Sequence, residues 1–166
     1  MTMDLGGNGA VISQDGVYRY RLDRHVGGLG PVYAFFGVNP STADADTDDA
    51  TVRKWRGFCR RLGVSRFIVG NVFALRATDV REIGRHPHPI GGDWRHHVDQ
   101  IIAEADILVP CWGSTDKVPA GLRPHFDTTL GILLTSGKPV KCWGHTASGD
   151  PRHPLMLAYS TRLQDW

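Results

Sequence analysis

The chain has 166 residues, a length that suits one hydrophobic core, and we expect residues 1–166 to form a single domain. Apolar residues make up 41% of the chain and charged residues 22%, which excludes a disordered or collagen-like protein. No apolar run is long enough to cross a bilayer, so we expect no membrane partner. The net charge of +2 permits nucleic-acid binding but does not require it.

The three cysteines, Cys59, Cys111 and Cys142, are widely spaced and odd in number. Such cysteines are typical of reduced, buried thiols, and they favour a cytoplasmic location. The first ten residues lack a basic segment followed by an apolar core, so we expect no secretory signal.

Hydrophobic patterning predicts an N-terminal β-hairpin followed by alternating strands and helices. Residues 10–22 form the hairpin, because Asp15-Gly16 is a turn signal between residues that favour strands. Apolar runs predict strands over residues 31–38, 66–75, 106–112 and 139–144. Apolar residues at helical spacing predict helices over residues 50–62, 94–105 and about 120–135.

This alternation predicts an α/β fold, with a parallel sheet covered by helices on both faces. We therefore expect three α/β/α layers around a central, mainly parallel sheet of four strands, with the hairpin added. Ligands of such sheets bind at the carboxyl ends of the strands. Four loop segments are predicted on that rim: residues 37–49, 70–79, 113–117 and 144–153.

The first rim segment presents an amide in a fixed direction. Gly37 permits a sharp turn or the close approach of a ligand, and Pro40 pushes Asn39 toward an extended conformation. Two interpretations of Asn39 are open: it contacts a ligand, or its side chain hydrogen-bonds its own backbone in a helix-entry turn.

Three further polar residues follow predicted strands. Asn71 either reads the edge of a planar ligand, since an amide offers both a donor and an acceptor, or satisfies the end of its strand. Arg76 either binds phosphate or pairs with Asp79. His153 is a candidate general acid or charge stabiliser, with a capping role as the alternative.

The four aspartates of residues 44–49 resemble the start of a calcium loop. The match ends there, because no glycine holds the sixth position and Trp55 holds the twelfth, where glutamate belongs. Helix capping is the favoured interpretation, and a Mg²⁺ site is the alternative. The paired histidines at 86–88 and 96–97 lack the spacing of a zinc pair, so we expect no metal and no other cofactor.

Three segments resemble an uncharacterised bacterial family of unknown function with an N-P-S-T-A-D-A signature: NPSTADADTDDATVRKWRGFCRRLG, NVFALRATD and GDPRHPLML. That family is in turn similar to the uracil-DNA glycosylase superfamily. Residues 37–41, GVNPS, resemble its G-x-N-P-G motif except at Ser41. Residues 71–76 resemble its strand-end N-V-x-x-x-R motif, and residues 153–155, HPL, its final histidine motif, in the same order.

The resemblance implies an enzyme that cleaves the N-glycosidic bond of a flipped base. The expected partner is DNA, and the alternative partner is a nucleotide. It implies that Asn39 positions the attacking water, Asn71 reads the base edge, and His153 stabilises charge on the departing base. The implied base-binding residues are Phe36, Gly37, Pro40, Ser41, Asn71 and Arg76, and the implied phosphate-binding residues are Arg76 and Arg152.

Some features depart from the glycosylase pattern. No Asp stands in the water-activating place at Asn39, and His145 competes with His153 for the histidine role. One alternative is therefore a non-catalytic module that binds a nucleotide or base in the same pocket, and a weaker one is a metal-dependent phosphoesterase built on the aspartates. For the glycosylase, we expect Asn39→Ala and His153→Ala to preserve folding and to lower base release about 10²-fold.

Overall fold

The computed structural model describes residues 2–3 and 7–166. The strands are β1 (Thr2–Met3), β2 (Gly9–Ile12), β3 (Arg19–His25), β4 (Val32–Gly37), β5 (Arg66–Asn71), β6 (Ile107–Pro110), β7 (Lys141–Cys142) and β8 (Gln164–Asp165). The helices are α1 (Ala50–Leu62), α2 (Val80–Arg85), α3 (Trp94–Glu104) and α4 (Pro124–Leu134), with 3₁₀ turns at Thr115–Lys117 and Ala120–Leu122.

The main sheet is mixed. Its strand order is β1-β2-β3-β5-β4-β6, in which β5, β4 and β6 run parallel and β1, β2 and β3 form antiparallel pairs. The predicted hairpin is therefore present as β2 and β3, and it joins the sheet because β3 pairs antiparallel with β5.

The predicted fourth parallel strand is corrected by the structure. The segment around residue 140 makes one isolated parallel bridge, between Leu108 and Val140. The next residues form β7, which pairs with β8 in a separate antiparallel sheet. The ladder with β6 stops after the bond from Leu108 N–H to the Pro139 carbonyl, because the next position on β6 is Pro110, which has no N–H to donate. On its other edge the segment bonds to the C-terminal residues, where Trp166 N–H donates to the Val140 carbonyl at 3.0 Å.

Two hydrophobic clusters cover the two faces of the sheet. Side chains alternate along a strand, so neighbouring residues of β4 point to opposite faces. Tyr33 and Phe35 pack with the apolar side of α1, whereas Ala34 and Phe36 pack with α3 and α4. The α/β class is therefore confirmed, with helices packed on both faces.

Helix α1 matches its predicted span of residues 50–62. Asp49 caps its start by accepting a hydrogen bond from Val52 N–H at 2.9 Å, and Gly63 ends it with a left-handed φ of 69°. Its buried side chains, Val52, Trp55, Phe58 and Cys59, recur at helical spacing.

Helices α4 and α2 differ from the predicted elements, and local residues explain where each of them begins. Helix α4 starts at Pro124 rather than near residue 120, because a 3₁₀ turn precedes it and proline suits the first helical turn. Helix α2 was not predicted from the sequence. It has six residues and begins after Asp79, whose side chain accepts from Arg81 N–H.

All three cysteines are free and buried, as predicted. Within residues 2–3 and 7–166, no helix combines the length and the apolar character that a membrane span requires.

Candidate functional site

A cavity of about 390 Å³ opens beyond the carboxyl ends of β4 and β6. Each of the four predicted rim segments contributes to its wall. Val38 and Asn39 come from the first segment, Thr78 from the second and His153 from the fourth, and the third contributes Gly113, Ser114 and Lys117. Val80, Trp112 and Val118 supply apolar wall. We call this space the carboxyl-end cavity.

The Asn39 amide is held by backbone carbonyls. Its Nδ2 donates to the carbonyls of Pro40 at 2.9 Å, Ala77 at 2.8 Å and Leu75 at 3.4 Å. These bonds fix the orientation of the amide, and no described group donates to Oδ1. The bonds from Nδ2 support the interpretation in which Asn39 stabilises its loop, and the interpretation in which Asn39 contacts a ligand stays a prediction.

His153 is half-buried and lines the same cavity. Its Nδ1 accepts a hydrogen bond from Leu155 N–H at 3.2 Å, so the proton of the neutral ring belongs on Nε2. Burial lowers the pKa of His153, and the carboxylate of Asp49 opposes that shift. The residue is thus a neutral imidazole near neutral pH, with Nε2–H as its available donor.

Gly113 brings the third rim loop close to this histidine. Its φ is 76°, and a Cβ at this position would lie 3.0 Å from the His153 Cβ. A side chain here would be strained by the backbone and crowded by the ring. The glycine therefore lets the loop after β6 pack against His153.

No carboxylate lines the carboxyl-end cavity within the described residues. Lys117 is exposed at its rim, and Thr78 and Ser114 supply hydroxyl groups. A cavity with this lining suits a neutral polar ligand or an anion rather than a cation.

The structure does not bring Asn71 to this cavity. Asn71 is 6% exposed, and its Oδ1 lies 3.0 Å from where a Cβ on Gly37 would be. Gly37 and Asn71 are register partners on β4 and β5, and their side-chain positions share the sheet face that packs on α1. The side chain is therefore directed away from the apolar cavity wall that belongs to the other face, and the predicted base-reading role has no geometric support.

The predicted stacking aromatic is also placed elsewhere. Phe36 is fully buried in the cluster with α3 and α4, where its ring fills the space beside Gly70. Trp112 is the aromatic residue that lines the cavity, and it packs against Phe126 with ring centroids 5.5 Å apart. The other residues of the first motif, Gly37, Pro40 and Ser41, do not line the cavity.

The predicted phosphate-binding arginines lie outside this cavity. Arg76 donates to the Gly16 carbonyl at 3.3 Å and lines a different, shallower cavity beside Glu82. Arg152 is exposed, and its side chain runs alongside Gly144. Among the residues with side chains described, Lys117 is the lysine or arginine that lines the carboxyl-end cavity.

The two candidate histidines differ in position. His145 is exposed, and its ring packs edge-on against Trp166 with centroids 4.7 Å apart. It does not line the carboxyl-end cavity, whereas His153 does.

The aspartates of residues 44–49 are used by the fold. Asp44 Oδ1 accepts from Asp46 N–H at 3.0 Å and Thr47 N–H at 2.9 Å, which closes a local turn. Both oxygens of Asp48 are paired, Oδ1 with Arg24 at 2.6 Å and Oδ2 with Arg56 at 3.0 Å. These contacts support the interpretation of the aspartates as turn, ion-pair and capping residues.

No group of three or more metal-binding side chains clusters within the part of the chain that is described. The side-chain placement therefore gives no support to the phosphoesterase alternative, which needs the aspartates as metal ligands.

Four polar or aromatic side chains of the cavity were not proposed as site residues from the sequence: Thr78, Trp112, Ser114 and Lys117. Three of them lie in rim segments that strand order had predicted, and Trp112 directly precedes one. Their position was thus readable from topology, but no residue pattern distinguished them from ordinary loop residues.

The fold and the cavity define an α/β protein with a ligand-sized site at the carboxyl ends of its parallel strands. Residues 19–155 match the family described as Protein of unknown function (DUF1643), and the chain belongs to that family. No curated protein and no solved structure matches the chain.

Proposed function

We propose that this protein is a glycosylase-like hydrolase that cleaves the N-glycosidic bond of a base, modified or not, in DNA or in a nucleotide. The observation that carries the proposal is that Asn39 and His153, which lie far apart in sequence, line one cavity with a free acceptor and a free donor. The order of the motifs, which is similar to that of uracil-DNA glycosylases, supports the same conclusion.

The proposed reaction needs little covalent chemistry from the protein. The water oxygen bonds to C1′ of the sugar, and the C1′–N bond breaks with its electron pair passing to the base. The proton released by the water ends on the departing base. Asn39 Oδ1 accepts from the attacking water and fixes its direction, while His153 Nε2–H donates to the base as negative charge develops on it.

The remaining lining suits a base and its sugar. A volume of about 390 Å³ falls within the range of roughly 300–1,000 Å³ that is common for small-ligand sites. Trp112 offers an aromatic wall, Thr78 and Ser114 offer hydrogen bonds to a base edge, and Lys117 offers a cation to a phosphate. A base in duplex DNA must be extruded before it reaches such a cavity.

The acidic loop is compatible with DNA as the partner. Four aspartates close to the site would repel phosphates if their charges were unopposed. Asp48, however, is paired with both Arg24 and Arg56. The pairing reduces the local negative charge, so the loop is a weaker barrier than its sequence suggests.

The proposal is tested by mass spectrometry of free bases released from DNA that carries a panel of modified nucleotides. Base release by the wild-type protein should fall about 10²-fold in His153→Ala, as expected for the loss of one charge-stabilising group. His145→Ala is the matched control and should retain full activity, since His145 lies outside the cavity. Equal release by all three proteins would overturn the proposal.

A second candidate function is a non-catalytic module that binds a nucleotide or a base in the same cavity. The observation in its favour is that no described cavity residue carries a carboxylate that could activate water. Saturable binding of an oligonucleotide, abolished by His153→Ala and accompanied by no free base after long incubation, would establish the module and exclude the enzyme.

A further inference from the structure

A second cavity, of about 400 Å³, lies at the opposite end of β4 from the carboxyl-end cavity. Tyr33, near the start of β4, lines it together with Phe58 of α1 and Trp143, which follows β7. These three aromatic side chains are at most 7% exposed, so they form a fixed floor. We call this space the amino-end cavity.

Positive charge surrounds the amino-end cavity. Arg61, Lys141 and Arg162 line it, and no aspartate or glutamate does so within the described residues. Lys141 Nζ pairs with Asp165 at 2.7 Å, but the Asp165 side chain is 87% exposed, so that pair is weak. Arg162 has no ion-pair partner in the part of the chain described.

Two donors at the floor lack acceptors. Trp143 is 2% exposed, and its buried indole N–H has no hydrogen-bond partner among the described groups. The Tyr33 hydroxyl makes no hydrogen bond to a described group either, and burial raises its pKa, which keeps it protonated. Buried polar groups in proteins are nearly always satisfied, so the buried and unpaired Trp143 N–H indicates an acceptor supplied from outside the chain.

The walls are ordered before any ligand binds. The Trp143 ring stacks on Phe35 with centroids 5.7 Å apart and contacts Phe58 at 4.7 Å. At the rim, the Arg61 guanidinium lies 3.9 Å from the Tyr159 ring centroid. This cation–π contact holds the Arg61 side chain in place without neutralising its charge.

We propose that the amino-end cavity binds a small organic anion in which a planar aromatic body carries one carboxylate or phosphate group. The body packs on Trp143 and Phe58, and the anionic group lies toward Arg162 and Arg61. Acceptor atoms of the ligand satisfy the Trp143 indole N–H and the Tyr33 hydroxyl. This site is separate from the proposed glycosylase site, because the two cavities share no lining residue.

The test uses calorimetric titration of the full-length protein with indole-3-carboxylate and, in a second arm, 1-naphthyl phosphate. Indole-3-carboxamide serves as the neutral analogue of matched shape. We expect at least one anion to bind about tenfold more tightly than the amide, since a charge-assisted hydrogen bond is lost in the amide. The arm that binds identifies whether the site prefers carboxylate or phosphate.

Two variants assign that binding to the amino-end cavity. Arg162→Gln removes an exposed, unpaired cation and should weaken the anion about tenfold without changing stability. Trp143→Phe removes the indole N–H and keeps an aromatic ring, so it should weaken the anion several-fold. If Trp143→Phe fails to fold, Arg162→Gln alone decides the question.

Lys117→Gln is the matched control, because Lys117 is the corresponding exposed cation of the carboxyl-end cavity. It should leave anion binding unchanged. The proposal is overturned if neither anion binds at millimolar concentration, if the amide binds as tightly, or if Lys117→Gln rather than Arg162→Gln weakens the anion. None of these outcomes depends on base release.

Discussion

Two polar regions, the loop of residues 44–49 and the carboxyl-end cavity, use their polar atoms differently. In residues 44–49, Asp44, Asp48 and Asp49 accept from backbone N–H groups or pair with arginines. At the carboxyl-end cavity, Asn39 Oδ1 and His153 Nε2 have no protein partner among the described groups. The charged residues of this loop therefore stabilise the fold, whereas the hydrogen-bonding atoms without a protein partner indicate the ligand site.

The largest expected effect is on stability, from Asp48→Ala. Arg24 is 1% exposed, and losing its carboxylate partner leaves a buried charge without its ion pair. We expect the free energy of unfolding to fall by about 3 kcal/mol, in the range found when one partner of a buried pair is removed. Urea unfolding measures the change.

Asp46→Ala is the control for that variant, because Asp46 is an exposed aspartate of the same loop. Its unfolding free energy should change by less than about 0.5 kcal/mol. If the two variants are equally stable, the loop is not held by the Asp48 ion pairs, and the contrast between the two regions is lost.

The next largest expected effect is on the rate of base release, in the variant His153→Ala. Base release should fall about 10²-fold, equivalent to about 2.7 kcal/mol of transition-state stabilisation. Unfolding free energy should change by less than with Asp48→Ala, since the bond from Leu155 N–H is exposed. Single-turnover kinetics and urea unfolding on the same preparations separate the two effects.

Asn39→Ala sharpens the comparison, because Asn39 lines the cavity and also holds its loop through hydrogen bonds from Nδ2. Its Nδ2 is bonded to the Ala77 carbonyl, so the sequence-based expectation that this variant folds normally is replaced by a stability loss of about 1–3 kcal/mol. Base release per folded molecule should also fall. A stable variant with normal base release would remove Asn39 from both roles.

Asp49→Ala should cost about 1 kcal/mol, because it removes the cap of α1. The Asp49 carboxylate also raises the pKa of His153, so its removal should lower that pKa further. NMR titration of the His153 ring checks the direction, and an upward shift would contradict it.

The smallest effect is the pH dependence set by His153. Burial holds its pKa in the folded protein below the ordinary value of 6.5, so the unfolded chain binds more protons as pH falls. The contribution of this group to stability is therefore complete above about pH 6.5 and is lost as pH falls through the folded pKa. Base release should fall over the same range, because protonated Nδ1 cannot accept from Leu155 N–H.

The comparison that isolates this effect is wild type against His153→Ala. The unfolding free energy of the wild type should decline more steeply between pH 7 and pH 5 than that of the variant. If the unfolding free energies of the two proteins decline equally, groups other than His153 control the loss of stability at low pH.

Much of the fold was predictable from the sequence because apolar spacing is a strong signal. Helix α1 was predicted to the residue, since Val52, Trp55 and Cys59 mark one face and Gly63 ends it. The rim was predictable because topology alone places the carboxyl ends of parallel strands together. Helix α2 was missed because six residues are too few to show a helical period.

The placement of individual side chains was less predictable. In a sheet buried on both faces, apolar residues occupy every position, so the sequence does not show which face a strand-end residue joins. Asn71 therefore looked like a ligand contact, although its register with Gly37 directs it to the α1 face. Phe36 faces the cluster with α3 and α4, opposite to Phe35, but it is fully buried there and does not line the cavity.

The arginines of β3 have a consequence for shortening the chain. Arg19 donates to the Ala43 carbonyl, and Arg24 donates to the Asp44 and Thr47 carbonyls as well as to Asp48. The hairpin thus stabilises the loop of residues 43–48, which lies about 24 positions further along the chain. Through that loop it also stabilises the start of α1 beside the carboxyl-end cavity. A truncation that removes β3 should therefore destabilise the loop of residues 43–48 and the start of α1, in addition to β2 and β5, which pair with β3 in the sheet.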